Sequence, residues 1–254
     1  ACKGMRPIVA IYSTFMQRAY DQVLHDVCLQ NLPVTFAMDR GGLVGADGPT
    51  HHGVFDLSFL RNIPNLIFAA PSNELDLQRV MKTASLSTGP FAYRYPRGNG
   101  TGLPLAEKVE PLVVGRGELL REGNDGLIIA VGVMVVEALA AADQLAVQGI
   151  DISVIDARFI KPLDRELIIS QAEKAAFVIT AEENAVQGGF GTSVLELLSD
   201  TGLIVPVIRV GIPDHFIEQG THVELRMQLG LDAEGLVVKV KQALQYHRQQ
   251  VSAG

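Results

Sequence analysis

Short runs of β-branched and aliphatic residues alternate with longer stretches of helical periodicity along most of this chain, and that alternation restricts the fold more than any other feature. Ile8 to Ile11 is an apolar run, followed by Ser13 or Thr14 as an N-cap and by Phe15, Ala19, Val23 and Val27 at four-residue spacing, a strand and then a helix. Val34 to Met38, Leu66 to Ala70 and Phe91 to Tyr95 read as further strands, with a short helical segment from Phe55 to Leu60. A longer helix opens at Pro71-Ser72, carries Glu74 and Asp76 in its first turn and stops at Gly89-Pro90. Strands that are apolar on both faces and alternate with helices indicate a mostly parallel sheet covered on each side.

From Gly98 to Pro111 glycine and proline recur without a sustained period, which marks a linker. Beyond it, Gly117 to Arg121 and Leu127 to Val131 flank Gly123-Asn124-Asp125-Gly126, which suits a hairpin turn. A helix follows through Val135, Leu139, Ala142 and Ala146, ended by Gly149. Ile150 to Ile155, Phe177 to Thr180 and Val205 to Val210 are further strands. Leu163 to Lys174, Phe190 to Leu198, His222 to Leu229 and Ala233 to His247 are helices, the last capped by Asp232. The expectation is an α/β protein of two tandem doubly wound, mostly parallel sheets, one in residues 1–112 and one in 113–254.

Composition narrows the function classes. With 48% hydrophobic residues among 254 the chain can bury full cores. A net charge of -7, with no local run of Lys or Arg, argues against a nucleic-acid footprint. Apolar runs such as Gly126 to Val131 are too short to span a membrane, and no Cys/His spacing resembles a zinc site, so no metal ligand is assigned. Cys2 and Cys28 make no disulfide framework, which suits a reducing compartment. The opening Ala1-Cys2-Lys3-Gly4 is neither a signal peptide nor a start methionine, and the expectation is that the chain begins within a longer protein.

The chemistry gathers around Gly45-Ala46-Asp47-Gly48-Pro49-Thr50-His51-His52-Gly53, where a carboxylate and two imidazoles sit in a stretch that breaks helix and strand. In parallel sheets ligands bind beyond the carboxyl ends of the strands. Tyr12, Phe15 and Arg18 follow the first strand, Arg40, Asp47 and His51 the second, and Arg97 the fourth. Three arginines at one edge of an acidic protein point to a phosphate or carboxylate ligand; the ordinary alternative pairs Arg18 and Arg40 with Asp21 and Asp39. Asp47 and His51, four residues apart, have the spacing of an aspartate that orients a histidine for general acid/base work. Tyr12 and Phe15 serve either the core or a flat heterocycle, and the residues leave both open.

Ala10 to Gln22, Asp39 to Gly53, Tyr93-Arg94-Tyr95-Pro96-Arg97-Gly98, and Glu182-Glu183-Asn184 with Gly188-Gly189-Phe190-Gly191 together resemble the transketolase-like, thiamine-diphosphate-dependent family. Within it the match is to the branch that condenses pyruvate with D-glyceraldehyde 3-phosphate, with loss of carbon dioxide, to give 1-deoxy-D-xylulose 5-phosphate for isoprenoid precursors. The resemblance implies a pyrimidine-binding domain, partial here, and a transketolase C-terminal domain, and the cofactors thiamine diphosphate and magnesium. By the same resemblance Phe15 stacks on the aminopyrimidine. Tyr12, Arg40 and Arg97 hold the acceptor phosphate with support from Arg18, and Asp47 and His51 contact the acceptor hydroxyl and carbonyl. Glu182, Glu183 and Gly188 to Gly191 are structural or line an interface in this reading, and no catalytic role falls to them. The family's activating glutamate and its magnesium- and diphosphate-binding domain lie upstream, so the resemblance implies a part of a homodimeric enzyme that is inactive by itself, in a bacterial cytoplasm or a plastid. A silent partner of a complete synthase, or the beta-type subunit of a split transketolase or 2-oxo acid dehydrogenase, are the competing expectations.

Overall fold

The computed structural model describes residues 1–253, with side chains through residue 250. In chain order the elements are β1 (Ile8–Tyr12), α1 (Ser13–Met16), β2 (Thr35–Asp39), α2 (Asp56–Leu60), β3 (Ile67–Ala69), α3 (Glu74–Leu86) and β4 (Phe91–Arg94). They continue with β5 (Glu118–Arg121), β6 (Gly126–Ala130), α4 (Met134–Ala146), β7 (Ile152–Asp156), β8 (Phe159–Lys161) and α5 (Arg165–Ala172). The last are β9 (Val178–Ala185), α6 (Phe190–Asp200), β10 (Val207–Ile212), α7 (His222–Leu229) and α8 (Ala233–Ala253).

Two five-stranded sheets result, with orders β1-β2-β4-β3-β8 and β10-β9-β6-β7-β5. Every pairing is parallel except β3 with β8 and β5 with β7. The expected α/β architecture of two mostly parallel sheets is therefore present. Residues on β6 and β9 are buried throughout, as central strands covered on both faces require.

Four local expectations differ from the structure. The Gly123–Gly126 stretch joins no hairpin: β5 runs antiparallel to β7, and β6 pairs with β7 and β9. The Ser153 hydroxyl bonds both the amide and the carbonyl of Gly123, 2.9 Å each, which pins the turn to β7 and lets the apolar β6 enter the sheet centre. The first helix is not regular: after α1 come a tight turn at Gln17–Ala19 and widened, π-type turns over Gln22–Cys28. The change of pitch breaks the four-residue register, so Val23 is buried while Phe15 stays 37% exposed. Ser13 and Thr14 do not cap this helix. Tyr12 holds the cap position, and the Ser13 hydroxyl donates instead to Asp56, 2.9 Å. The helix after Pro71-Ser72 starts later, capped by Asn73, whose side chain accepts from the Asp76 amide.

No periodicity in the sequence marks β8 as a strand. Only three residues long, it crosses from the second unit to extend the first sheet, and Ala70 donates its amide to Arg158 at 2.8 Å. The two units accordingly share one apolar core, in which Met38, Leu57 and Phe68 meet Leu127, Ile129, Val178 and Phe190. The Gly98 to Pro111 stretch is strapped onto α3 rather than hanging between units. Glu74 accepts from the amides of Thr101, Gly102 and Leu103, and Gln78 bonds both backbone groups of Ala106.

At the junction of the units Asp76 of α3 and Asp156 of β7 are both buried near Arg158, whose Nε lies 3.3 Å from Asp76. Burial, and then the neighbouring Asp76 carboxylate, push the Asp156 carboxyl up to about 7. An aspartate with a raised folded pKa keeps its proton while the unfolded chain has lost it, so its contribution to stability falls as pH rises from the unfolded value near 3.8 to about 7 and is flat above. Asp156→Asn is expected to remove that slope, at most about 1.4 kcal/mol per pH unit. Urea midpoints of wild type and variant at pH 5 and pH 8 measure it; parallel pH dependence in both proteins would dismiss Asp156 as its source.

Candidate active site at the carboxyl edge of the first sheet

Because β1, β2 and β4 are parallel, their carboxyl ends open on one edge. Tyr12 closes β1, Arg40 follows β2, and Arg97 lies just past β4. The seven residues expected there form one connected surface. Phe15 stacks on Tyr12 with ring centroids 5.4 Å apart, the Arg40 guanidinium lies 4.2 Å over the Tyr12 ring, and Arg18 stands 5.9 Å from the Phe15 centroid. His51 meets Phe15 edge-on at 5.6 Å. Arg97 and Arg40 both pair with Asp47, Arg97 at 2.9 Å.

The Asp47–His51 pairing considered from sequence does not occur. Asp47 is turned to the two arginines, and the His51 Nδ1 is bonded to the Thr50 hydroxyl, 2.9 Å, leaving Nε2 as the nitrogen turned from that bond. The geometric reason is local. Gly45 and Gly48 take positive φ of 74° and 70°, so the loop doubles back and carries Asp47 toward Arg40. Nor do Arg18 and Arg40 pair with Asp21 and Asp39. Asp21 pairs with His25, and Asp39 accepts from the Arg40 amide. Arg40 itself sits at φ 58°, a left-handed conformation that costs a bulky residue about 1 kcal/mol and turns its guanidinium across Tyr12.

Side-chain exposures of 21% for Arg40, 29% for Asp47 and 42% for Arg97 leave this clamp open to solvent. Two guanidinium groups on one carboxylate carry a net positive charge, suited to a second anion of phosphate type beside the first. Phe15 is 37% exposed and Tyr12 half-buried, so part of the aromatic stack is open to solvent beside the arginines.

Beneath this surface lies a buried polar layer, of which only the Glu182-Glu183-Asn184 stretch stands out in the sequence. Asp56, fully buried, accepts from Arg94 at 2.6 Å, from the Ser13 hydroxyl and from the Leu57 amide. Burial raises its pKa, and the Arg94 guanidinium works against that shift. Arg94 also donates to the Glu183 carbonyl, 3.1 Å. His52, 3% exposed, accepts the Val44 amide on Nδ1 at 3.0 Å and reaches the Glu218 carbonyl with Nε2; burial lowers its pKa, which keeps it the neutral imidazole these contacts need. Glu182 accepts from the Phe190 and Gly191 amides at the start of α6, both 2.7 Å, and Asn184 accepts from Leu57 and donates to Ser58. The Glu182-Glu183-Asn184 stretch thus ties the second unit to the first. Its signal in the sequence was three consecutive polar residues inside an apolar strand. Among the described residues no group of three or more His, Cys, Asp and Glu side chains that could hold a metal ion is found.

The family models matched are the pyrimidine binding domain of transketolase over residues 1–101 and the transketolase C-terminal domain over residues 115–236. The chain is 57% identical, over its whole length, to the 1-deoxy-D-xylulose-5-phosphate synthase of Syntrophotalea carbinolica, of which it covers 40%. It is 59% identical over 93% of its length to 1-deoxy-D-xylulose-5-phosphate synthase 1 of Geobacter sulfurreducens, covering 37% of that protein. Among solved structures, a split-gene transketolase described as an inactive beta4 tetramer superposes with a TM-score of 0.86 at 33% identity, over 96% of this chain and 78% of that one. The chain spans about 40% of the length of the first curated relative.

Proposed function

The chain belongs to the transketolase family, and from that membership we propose that it supplies the acceptor-binding edge of a thiamine-diphosphate-dependent transferase that joins pyruvate to D-glyceraldehyde 3-phosphate, forming 1-deoxy-D-xylulose 5-phosphate. The observation that carries the reading is the pair of arginines on Asp47 beside the Tyr12–Phe15 stack, in a chain more than half identical to proteins named for that synthesis. Thiamine diphosphate, when bound, supplies a stabilised carbanion equivalent after pyruvate loses carbon dioxide. The exposed face of Phe15 fits the flat pyrimidine ring of that group, and magnesium and diphosphate fall, in this reading, to the remaining length of such proteins. Arg40 and Arg97 hold the acceptor phosphate, Arg18 adds positive charge at the rim, and Tyr12 aligns the Arg40 guanidinium from below. Asp47 orients an acceptor hydroxyl. His51 delivers a proton from Nε2 to the acceptor's carbonyl oxygen as the new carbon–carbon bond forms. Homodimeric assembly and a cytoplasmic or plastid location belong to the same proposal.

In the protein as encoded, Arg97→Ala is expected to raise KM for the aldehyde phosphate about 10- to 100-fold, the worth of a charge-assisted bond to phosphate, and to leave KM for pyruvate within about twofold. Equal changes in both constants would take the phosphate away from Arg97. The likeness to a split-gene transketolase favours a second reading, a β-type subunit that transfers a two-carbon ketol unit. Incubation with pyruvate and D-glyceraldehyde 3-phosphate, scored for carbon dioxide and the deoxy sugar phosphate, separates the two. Turnover only with a ketose phosphate donor would replace the first reading by the second.

A further inference from the structure

Leu43 opens the loop that carries Asp47 and His51, and its amide is held from the other unit. Glu183, on β9, accepts that N–H with Oε2 at 3.1 Å and accepts from the Arg226 Nε with Oε1 at 2.7 Å. The carboxylate is 2% exposed, so it is buried with one backbone donor and one arginine as its side-chain partners. Arg226, on α7, is steadied in turn by Glu137 at 3.6 Å, on α4. The fit allows no alternative residue beneath it: a Cβ on Gly42, whose φ is +90°, would stand 2.0 Å from Oε2. Two further second-unit contacts follow along the same loop. Val44 donates to His52, which reaches Glu218, and a Cβ on Gly45 would meet the His222 ring at 2.9 Å. Leu43 and Val54, at the two ends of the loop, are buried in the core beneath the second sheet, worth about 1.5–3 kcal/mol each.

We infer that Glu183, locked by Arg226, is a positioning residue: it sets the height of the Gly41–Gly53 loop over the sheet edge, and through the loop it sets where Asp47 and His51 meet the acceptor. The second unit therefore registers the acceptor site of the first, although it contributes none of the seven side chains that form it. This rests on the acceptor-site reading above for its kinetic consequence and on the hydrogen bonds alone for its structural one. A buried carboxylate that served only the interface would need no contact with the loop amide; here one of its two oxygens is committed to that amide.

Amide hydrogen exchange in the protein as encoded tests the inference directly. In Glu183→Ala the Leu43 amide is expected to exchange about 30-fold faster, the loss of one bond to a charged acceptor, with amides of β6 and β9 unchanged. Glu183→Gln keeps one acceptor oxygen for the two donors Leu43 and Arg226, so Leu43 is expected to exchange at a rate between those of wild type and Glu183→Ala. The same Ala variant should raise KM for the aldehyde phosphate about tenfold through the displaced Asp47, lower kcat about tenfold through the displaced His51, and leave KM for pyruvate within about twofold. Full protection of Leu43 in Glu183→Ala, or equal loss of protection across β6 and β9, overturns the inference. Should that variant not fold, Arg226→Gln decides: about threefold faster exchange at Leu43 supports the lock, and none overturns it. A wild-type protein that protects Leu43 through Glu183 but does not turn over pyruvate and the aldehyde phosphate removes the proposed function and leaves the positioning intact.

Discussion

His51→Ala, assayed in the protein as encoded with pyruvate and D-glyceraldehyde 3-phosphate, is expected to lower kcat by about 10²-fold or more, the usual worth of a positioned proton donor. KM for either substrate should move little, because phosphate binding is assigned to Arg40 and Arg97. The Thr50 hydroxyl holds Nδ1 at 2.9 Å and Phe15 holds the ring edge-on at 5.6 Å, so the imidazole is fixed on two sides with Nε2 the nitrogen left for substrate. Loss of the ring also removes a contact to Phe15, and a thermal melt of the variant separates that effect from the chemistry. An unchanged kcat would strike His51 from the proton transfer.

The second large effect is expected in stability. Arg94→Met leaves Asp56, which is 0% exposed, without its cation while Ser13 and Leu57 still donate to it. Breaking a buried pair from one side typically costs about 3–5 kcal/mol, since the remaining charge must be buried alone or take up a proton. For a chain of this size that corresponds to a drop in Tm of about 10 °C. Arg94 also reaches the Glu183 carbonyl, so the loss should be felt across both units in one transition. The double variant Asp56→Asn with Arg94→Met should recover part of the loss, because the uncompensated charge is gone. Urea midpoints for the two single variants and the double variant complete the cycle. Additive losses would mean that the pair does not interact, against the 2.6 Å contact.

Much of the candidate site was readable because it depends on strand direction. Once β1, β2 and β4 were expected to be parallel, residues just past their carboxyl ends had to share an edge, and Tyr12, Phe15, Arg18, Arg40, Asp47, His51 and Arg97 do form one surface there. Partner choice within that surface was not readable. Asp47 stands four residues before His51 and seven after Arg40, and sequence spacing favours neither. Positive φ at Gly45 and Gly48, together with Arg97 arriving from a strand more than forty residues later, turns it to the arginines.

The sequence by itself determined the alternation of strand and helix, the parallel character of both sheets and the edge at which polar groups collect, because each follows from local periodicity and from the direction of the chain. Only the tertiary structure decided that β8 crosses to the first sheet, that β5 pairs with β7 instead of β6, and that Ser13, Asp56, Arg94 and Glu183 form the buried layer under the site, with the half-buried Arg226 on Glu183. Such choices join residues far apart in the sequence, 140 positions in the bond from Leu43 to Glu183 and 166 in that from His52 to Glu218. A buried charge takes whichever partner the packed core brings within reach, and that depends on the shape of the whole molecule, not on any window of its sequence.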